Sequence, residues 1–254
     1  MPENATATLC AHSGAVKISR GDLIHVPTPP RTLTFMPVAH STLIDLIENN
    51  LTRRGFGILN SEFAIQEGKL DGKALMGAKL FATLVLKHQT SDDFAFALGL
   101  RAANDKSMAI ELVAGCKVFV CDNMALCGEA DLLWRKHTSG LDRYTLRTAV
   151  DNGLTKAITR FGSFGSNIEV LKQRFISDTE AKANIFDAVV KGVIPQAFLP
   201  KVGAAYFEPP HKEFEPRTMW SLQNSYTEIF RTEYATKPHL LLESTQALGT
   251  FFGL

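Results

Sequence analysis

The chain has 254 residues, of which 45% are hydrophobic and 21% charged, with a formal net charge of +1. A chain of this length buries roughly 70–75% of its unfolded surface and needs neither metal nor disulfide to hold a core. The charge balance excludes a bulk polycation and leaves room for a local basic patch.

Residues 1–20 are rich in small and polar types and read as a flexible N-terminal arm. They carry no apolar stretch of signal-peptide type, and no run approaches the ~18 apolar residues of a membrane span. A cytoplasmic location without a membrane partner is therefore expected. Pro27, Pro29 and Pro30 mark an extended segment, followed by a short strand at Leu33 to Met36. Ser41 to Arg54 reads as a helix capped by Ser41, with Leu43, Ile44, Ile47 and Leu51 on one face and Gly55 ending it.

A block of strands follows. Phe56–Ile65 and Leu80–Lys87 are the first two. Phe94–Arg101 and Met108–Val113 alternate in polarity, and Asn104-Asp105-Lys106-Ser107 between them has turn chemistry, which predicts a hairpin. Lys117–Cys121 continues after a bulge or bend at Gly115. Asp122 or Asn123 then caps a helix carrying Leu126, Leu132 and Leu133.

The clearest helical stripe is Leu146, Ala149, Val150, Gly153, Leu154, Ala157, Ile158 and Phe161, bounded by Gly162 and Gly165. Asn167–Val190 is helical with a break near Ser177. Ile194–Pro216 holds five prolines and reads as a linker, and helices at Thr218 to about Tyr234 and about His239 to Phe252 close the chain. The expected architecture is α+β: a mainly antiparallel sheet of about five strands flanked by helices, with a helical C-terminal region. Residues 21–194 form the α+β core domain. Residues 195–254 are a proline-rich connection and C-terminal helices packing on that core.

Motifs of known chemistry are absent. There is no phosphate loop, no Gly-x-Ser-x-Gly elbow and no His-Glu-x-x-His, so neither a catalytic residue nor a cofactor is expected. Cys10, Cys116, Cys121 and Cys127 form no Cys-x-x-Cys pair and read as reduced thiols. A Cys121–His137 pair and the carboxylates Asp92, Asp93 and Asp122 are the remaining chemical candidates. The carboxylates would serve a metal-dependent enzyme, and turn or cap duty explains them as well.

Charge is concentrated in one region. Residues 135–174 hold Arg135, Lys136, Arg143, Arg147, Lys156, Arg160, Lys172 and Arg174 against three acidic residues, Asp142, Asp151 and Glu169. Trp134, Tyr144, Phe161 and Phe164 offer faces for base stacking. This composition suits a nucleic-acid surface, and it equally suits the solvated side of an ordinary helix.

Two resemblances bear on that choice. Arg101–Ser107, Val118–Met124, Arg135–Gly140, and Trp220 with Asn224, Thr227 and Glu228 resemble a phage/plasmid-like family known as domain of unknown function 932. That resemblance implies a mobile-element context and no defined activity. Ala149–Gly162 resembles the helix of Rad-fifty-two type single-strand annealing proteins, where such a helix follows an antiparallel sheet and borders a DNA groove around an oligomeric ring. Lys156 falls on a basic position of that motif. Thr155 stands where a basic residue is usual, and Arg160 is one place beyond another. The resemblance implies a non-enzymatic, single-stranded DNA-binding protein that promotes strand annealing in recombination and assembles as a homo-oligomer. Arg135, Lys136, Arg143, Arg147, Lys156 and Arg160 are its candidate nucleic-acid-binding residues. A protein that binds a host protein in counter-defence is the alternative from another class.

Overall fold

The computed structural model describes residues 15–87, 94–118, 124–126, 133–234 and 238–254. Its centre is a pair of long hairpins. β2 (Gly57–Leu70) and β3 (Lys73–Lys87) are joined by Asp71-Gly72, both at positive φ, 51° and 81°. That is the two-residue turn whose twist matches antiparallel strands, and Asp-Gly is one of its preferred pairs. Both strands are longer than the sequence pattern suggested. β4 (Phe94–Ala103) and β5 (Ile110–Val118) form the expected hairpin around Asn104–Ser107. The register of β4 with β5 is unbroken from Phe94 to Arg101, so Gly115 marks neither bulge nor bend.

β1 (Val16–Ile18) pairs with β2 at one edge. The other edge of β5 is shared by two short strands, β6 (Met124–Leu126) and β7 (Leu133–Arg135). Leu126 and Leu133 therefore lie in strands, not in the expected helix, because the open ladder of β5 gives this segment backbone partners. The whole is an antiparallel sheet in the order β1-β2-β3-β4-β5, with β6 and β7 along β5. The α+β architecture stands.

α1 (His40–Arg53) buries Leu43, Ile44, Ile47 and Leu51 completely. Its N-cap is Ala39, without a side-chain cap, and Gly55 at φ 81° ends it. α2 (Arg143–Gln173) is capped by Asp142, whose carboxylate accepts from the Thr145 N–H at 2.7 Å. It runs straight through Gly162 and Gly165. Each interior glycine costs about 1 kcal/mol relative to alanine. The burial of Phe161, Phe164 and Ile168 outweighs it, with Phe161 stacked on Phe96 of β4 at 4.4 Å. α1 and α2 lie on one face of the sheet, meeting Leu84, Leu98, Leu100 and Leu112.

α3 (Asp178–Val190) opens on a capping box between Ser177 and Glu180. The proline-rich stretch holds α4 (Leu199–Phe207), so it is no simple linker. Pro200 sits in the first turn, where its missing N–H costs nothing, and Val202 and Tyr206 are buried. α5 (Met219–Glu233) and α6 (Pro238–Phe252) complete a second apolar cluster with α3 and α4. Met219 and Phe252 touch both clusters, and Trp220 of α5 belongs to the sheet-side one, so these helices pack on the core. No described helix is long and apolar enough to cross a membrane.

The segment Leu33–Met36 forms no strand beyond an isolated bridge from Phe35 to Thr138. It is fastened by Asn104, which is buried: its Oδ1 accepts from the Val38 N–H at 3.0 Å and its Nδ2 donates to the Val38 carbonyl at 2.8 Å.

Candidate nucleic-acid interface

Strand register builds the site. Arg101 of β4 lies opposite Glu111 of β5, and Glu111 lies opposite Trp134 of β7. Directly paired residues share a face. Their neighbours Leu100, Leu112 and Leu133 point into the core, so by alternation the three form a row on the face away from α1 and α2. Arg101 donates to Glu111 Oε2 from Nε at 2.5 Å and sits with Nη2 at 2.5 Å from the same oxygen. Trp134 is 44% exposed.

The row floors a cleft of about 590 Å³ walled by Phe35 and Thr138 on one side and the Lys106–Ala109 turn on the other. Three cations, Arg101, Lys106 and Lys136, line it against one carboxylate, Glu111. The Lys136 ammonium stands 5.3 Å from the Trp134 ring centre, and the Lys106 ammonium 5.2 Å from that of Phe35. Both are within cation–π range. Lys106 also pairs with Asp71 at 3.1 Å.

His137 lies at the back of the cleft and is only 7% exposed. Its Nδ1 is 3.2 Å from the Met36 carbonyl, and the Met36 N–H donates to the His137 carbonyl at 3.1 Å. Burial pushes the imidazole below its ordinary pKa, opposed by that backbone hydrogen bond. These contacts make His137 a structural tie between the Phe35 strap and β7.

The six candidate basic residues do not share one groove. Lys136 lines the cleft. Arg135 is exposed on the opposite side of β7, its Nη1 donating to the Trp134 carbonyl at 3.0 Å. The other four divide along α2. At about 100° per residue, Arg143 and Arg147 flank one side of the buried stripe, and Lys156 lies about 180° from Arg147 beside Arg160 on the other. Between the two pairs runs the outer face of α2, with Thr148, Thr155 and Thr159 and, nearer Arg147, the acidic Asp151. Arg147 instead borders a second cavity, of about 690 Å³, between α1 and α2, together with Arg53, Asn49 and Thr148. In its wall Asp151 is bound by Asn50 at 3.0 Å and by Arg54 at 2.8 Å. These contacts hold its carboxyl below the usual range, and they pin α1 to α2.

The aromatics divide likewise. Trp134 and Tyr144 are open, Tyr144 at 79% exposure, whereas Phe161 and Phe164 are core residues and offer no face to a base. Composition alone missed Arg101, Lys106 and Glu111. Their signal was a pair of opposite charges set into otherwise apolar strands on either side of a recognised turn. Asp92, Asp93, Asp122 and Cys121 lie outside the described residues, and among the described residues no three His, Cys, Asp or Glu gather as metal ligands.

No protein-family model, no curated protein and no solved structure matches this chain. Neither resemblance noted in the sequence has support beyond its own residues.

Proposed function

We propose that the chain binds single-stranded DNA without making or breaking a bond, and that the contact centres on the Trp134 cleft. The observation that carries this reading is the half-exposed Trp134 flanked by the Lys136 ammonium, in a cleft with three cations and one carboxylate. A base stacked on an aromatic face is worth about 1–3 kcal/mol whatever its sequence, and basic side chains nearby hold the backbone. Strand annealing by a homo-oligomer is the larger form of the same proposal.

The test uses the two tryptophans. Trp220 is buried, so quenching by an added oligonucleotide reports on Trp134. We expect quenching at low salt, a log–log salt slope of about −2 for three neutralised phosphates, and loss of binding to a fluorescently labelled oligonucleotide, read by its anisotropy, in Trp134→Ala and Lys136→Ala. Charge reversal at Lys156 and Arg160, on the far shoulder of α2, should leave this binding nearly unchanged. Absence of binding at low salt, or wild-type binding by both cleft variants, overturns the reading.

A second reading, attachment to a host protein, is favoured by the outer face of α3. There Phe186 and Val190 stand exposed in a 4-3-4 spacing with Thr179 and Ala183. Phe186→Glu with Val190→Glu would then abolish capture of one discrete host protein while oligonucleotide binding stays intact.

A further inference from the structure

We infer that the cleft selects among bases, favouring those with an exocyclic amine over thymine; this rests on the single-strand reading above. Trp134 offers only a ring face, which every base satisfies. Selectivity must come from the neighbour that the register places beside it, and that neighbour is Glu111.

Two of the three guanidinium nitrogens of Arg101, Nε and Nη2, converge on Oε2 of Glu111. Oε1 has no hydrogen bond among the described residues, and it is not sealed from solvent. The Glu111 side chain is only 13% exposed. An acceptor in such a setting is competed for weakly by water, and a carboxylate accepts without donating. Arg101 fixes the carboxylate's position, so the open oxygen cannot turn away to suit a different partner.

Because Glu111 lies opposite Trp134 in the register, this oxygen is, among the described residues, the acceptor nearest in register to a ring stacked on Trp134. The amines of cytosine, adenine and guanine each supply an N–H that it can accept; carboxylates read cytosine N4 in this way in other settings. Thymine has no amine. Its single N–H lies between two carbonyl oxygens, and bringing that edge to a carboxylate sets lone pairs against negative charge. The three cations of the cleft attract phosphate equally for every base, so they raise affinity without altering this preference.

Oligo-dC and oligo-dT of equal length test the effect, because both are pyrimidines and thymine has a carbonyl, with an N3–H and a 5-methyl beside it, where cytosine has its 4-amine. Measured by Trp134 quenching at mildly alkaline pH, wild-type protein should bind oligo-dC more tightly by on the order of tenfold. Glu111→Gln, whose amide both donates and accepts, should bring the two to within about twofold. Equal binding of both oligomers by the wild type overturns base selection and leaves the single-strand reading intact. A preference that survives in Glu111→Gln overturns Glu111 as its source. Binding to neither oligomer overturns the single-strand reading and this inference with it. The wild-type comparison decides the matter even if the variant fails to fold.

Discussion

Two histidines illustrate how single residues set the conditions under which this fold survives. His40 is buried with Nε2 2.9 Å from the Gly77 carbonyl, and His137 with Nδ1 near the Met36 carbonyl. Their other ring nitrogens have no hydrogen-bond partner among the described residues. Burial lowers both pKa values below the ordinary 6.5, and the His137 charge depresses His40 further. The unfolded chain therefore takes up protons at a pH where the folded chain does not. Stability from this source is complete above about pH 6.5 and is lost as pH falls below it. Thermal melts should show a falling midpoint from neutral toward pH 5, a chosen end point of roughly that value. His137→Gln, which keeps a donor for Met36 and cannot titrate, should flatten part of that fall. An unchanged slope in the variant would remove His137 from the account.

At the scale of elements, α2 shows why local punctuation misled. Glycines end helices when nothing else holds the chain, and Gly162 and Gly165 looked like such an end. In the folded protein the helix is clamped on the sheet on both sides of them, and packing overrides propensity. Gly162 is exposed, and a Cβ there meets nothing within 4 Å. Gly162→Ala should thus raise stability by about 0.5–1 kcal/mol. Leu154→Ala, at a fully buried position on the same helix, should lower it by about 2–5 kcal/mol. Denaturant unfolding of the two variants measures both signs. The prolines of the 194–216 stretch misled in the same manner, since Pro200 occupies the one helical position that tolerates it. By contrast α1, the β4–β5 hairpin and the helix break near Ser177 were legible, because each shows in its own local pattern. The Asp71-Gly72 turn carries an equally local signal, a pair that favours positive φ.

The whole molecule joins a sheet-and-helix layer to a helical cluster through Met219, Trp220 and Phe252. Loss of one cluster exposes apolar surface of the other, so the two should unfold together. Unfolding followed by Trp220 fluorescence in a Trp134→Phe background should coincide with loss of far-ultraviolet ellipticity. Two separated transitions would mean that the helical cluster stands alone. This scale also explains why the site was only partly readable. Arg101, Glu111 and Trp134 come from three segments and meet only through strand register, which no local pattern displays. The division of Arg143 and Arg147 from Lys156 and Arg160 was a different matter: helical spacing already contained it, and counting charge by region averaged it away.

The double hydrogen bond of Asn104 to Val38 carries a kinetic consequence. One buried amide fastens the strap bearing Phe35 to the hairpin turn bearing Lys106, so the two walls of the cleft are preassembled before any ligand arrives. A strand meeting walls already in position spends little of its interaction energy on ordering them. Association should therefore rise in proportion to oligonucleotide concentration without reaching a plateau set by a slow rearrangement, and differences between sequences should emerge in how long each remains bound.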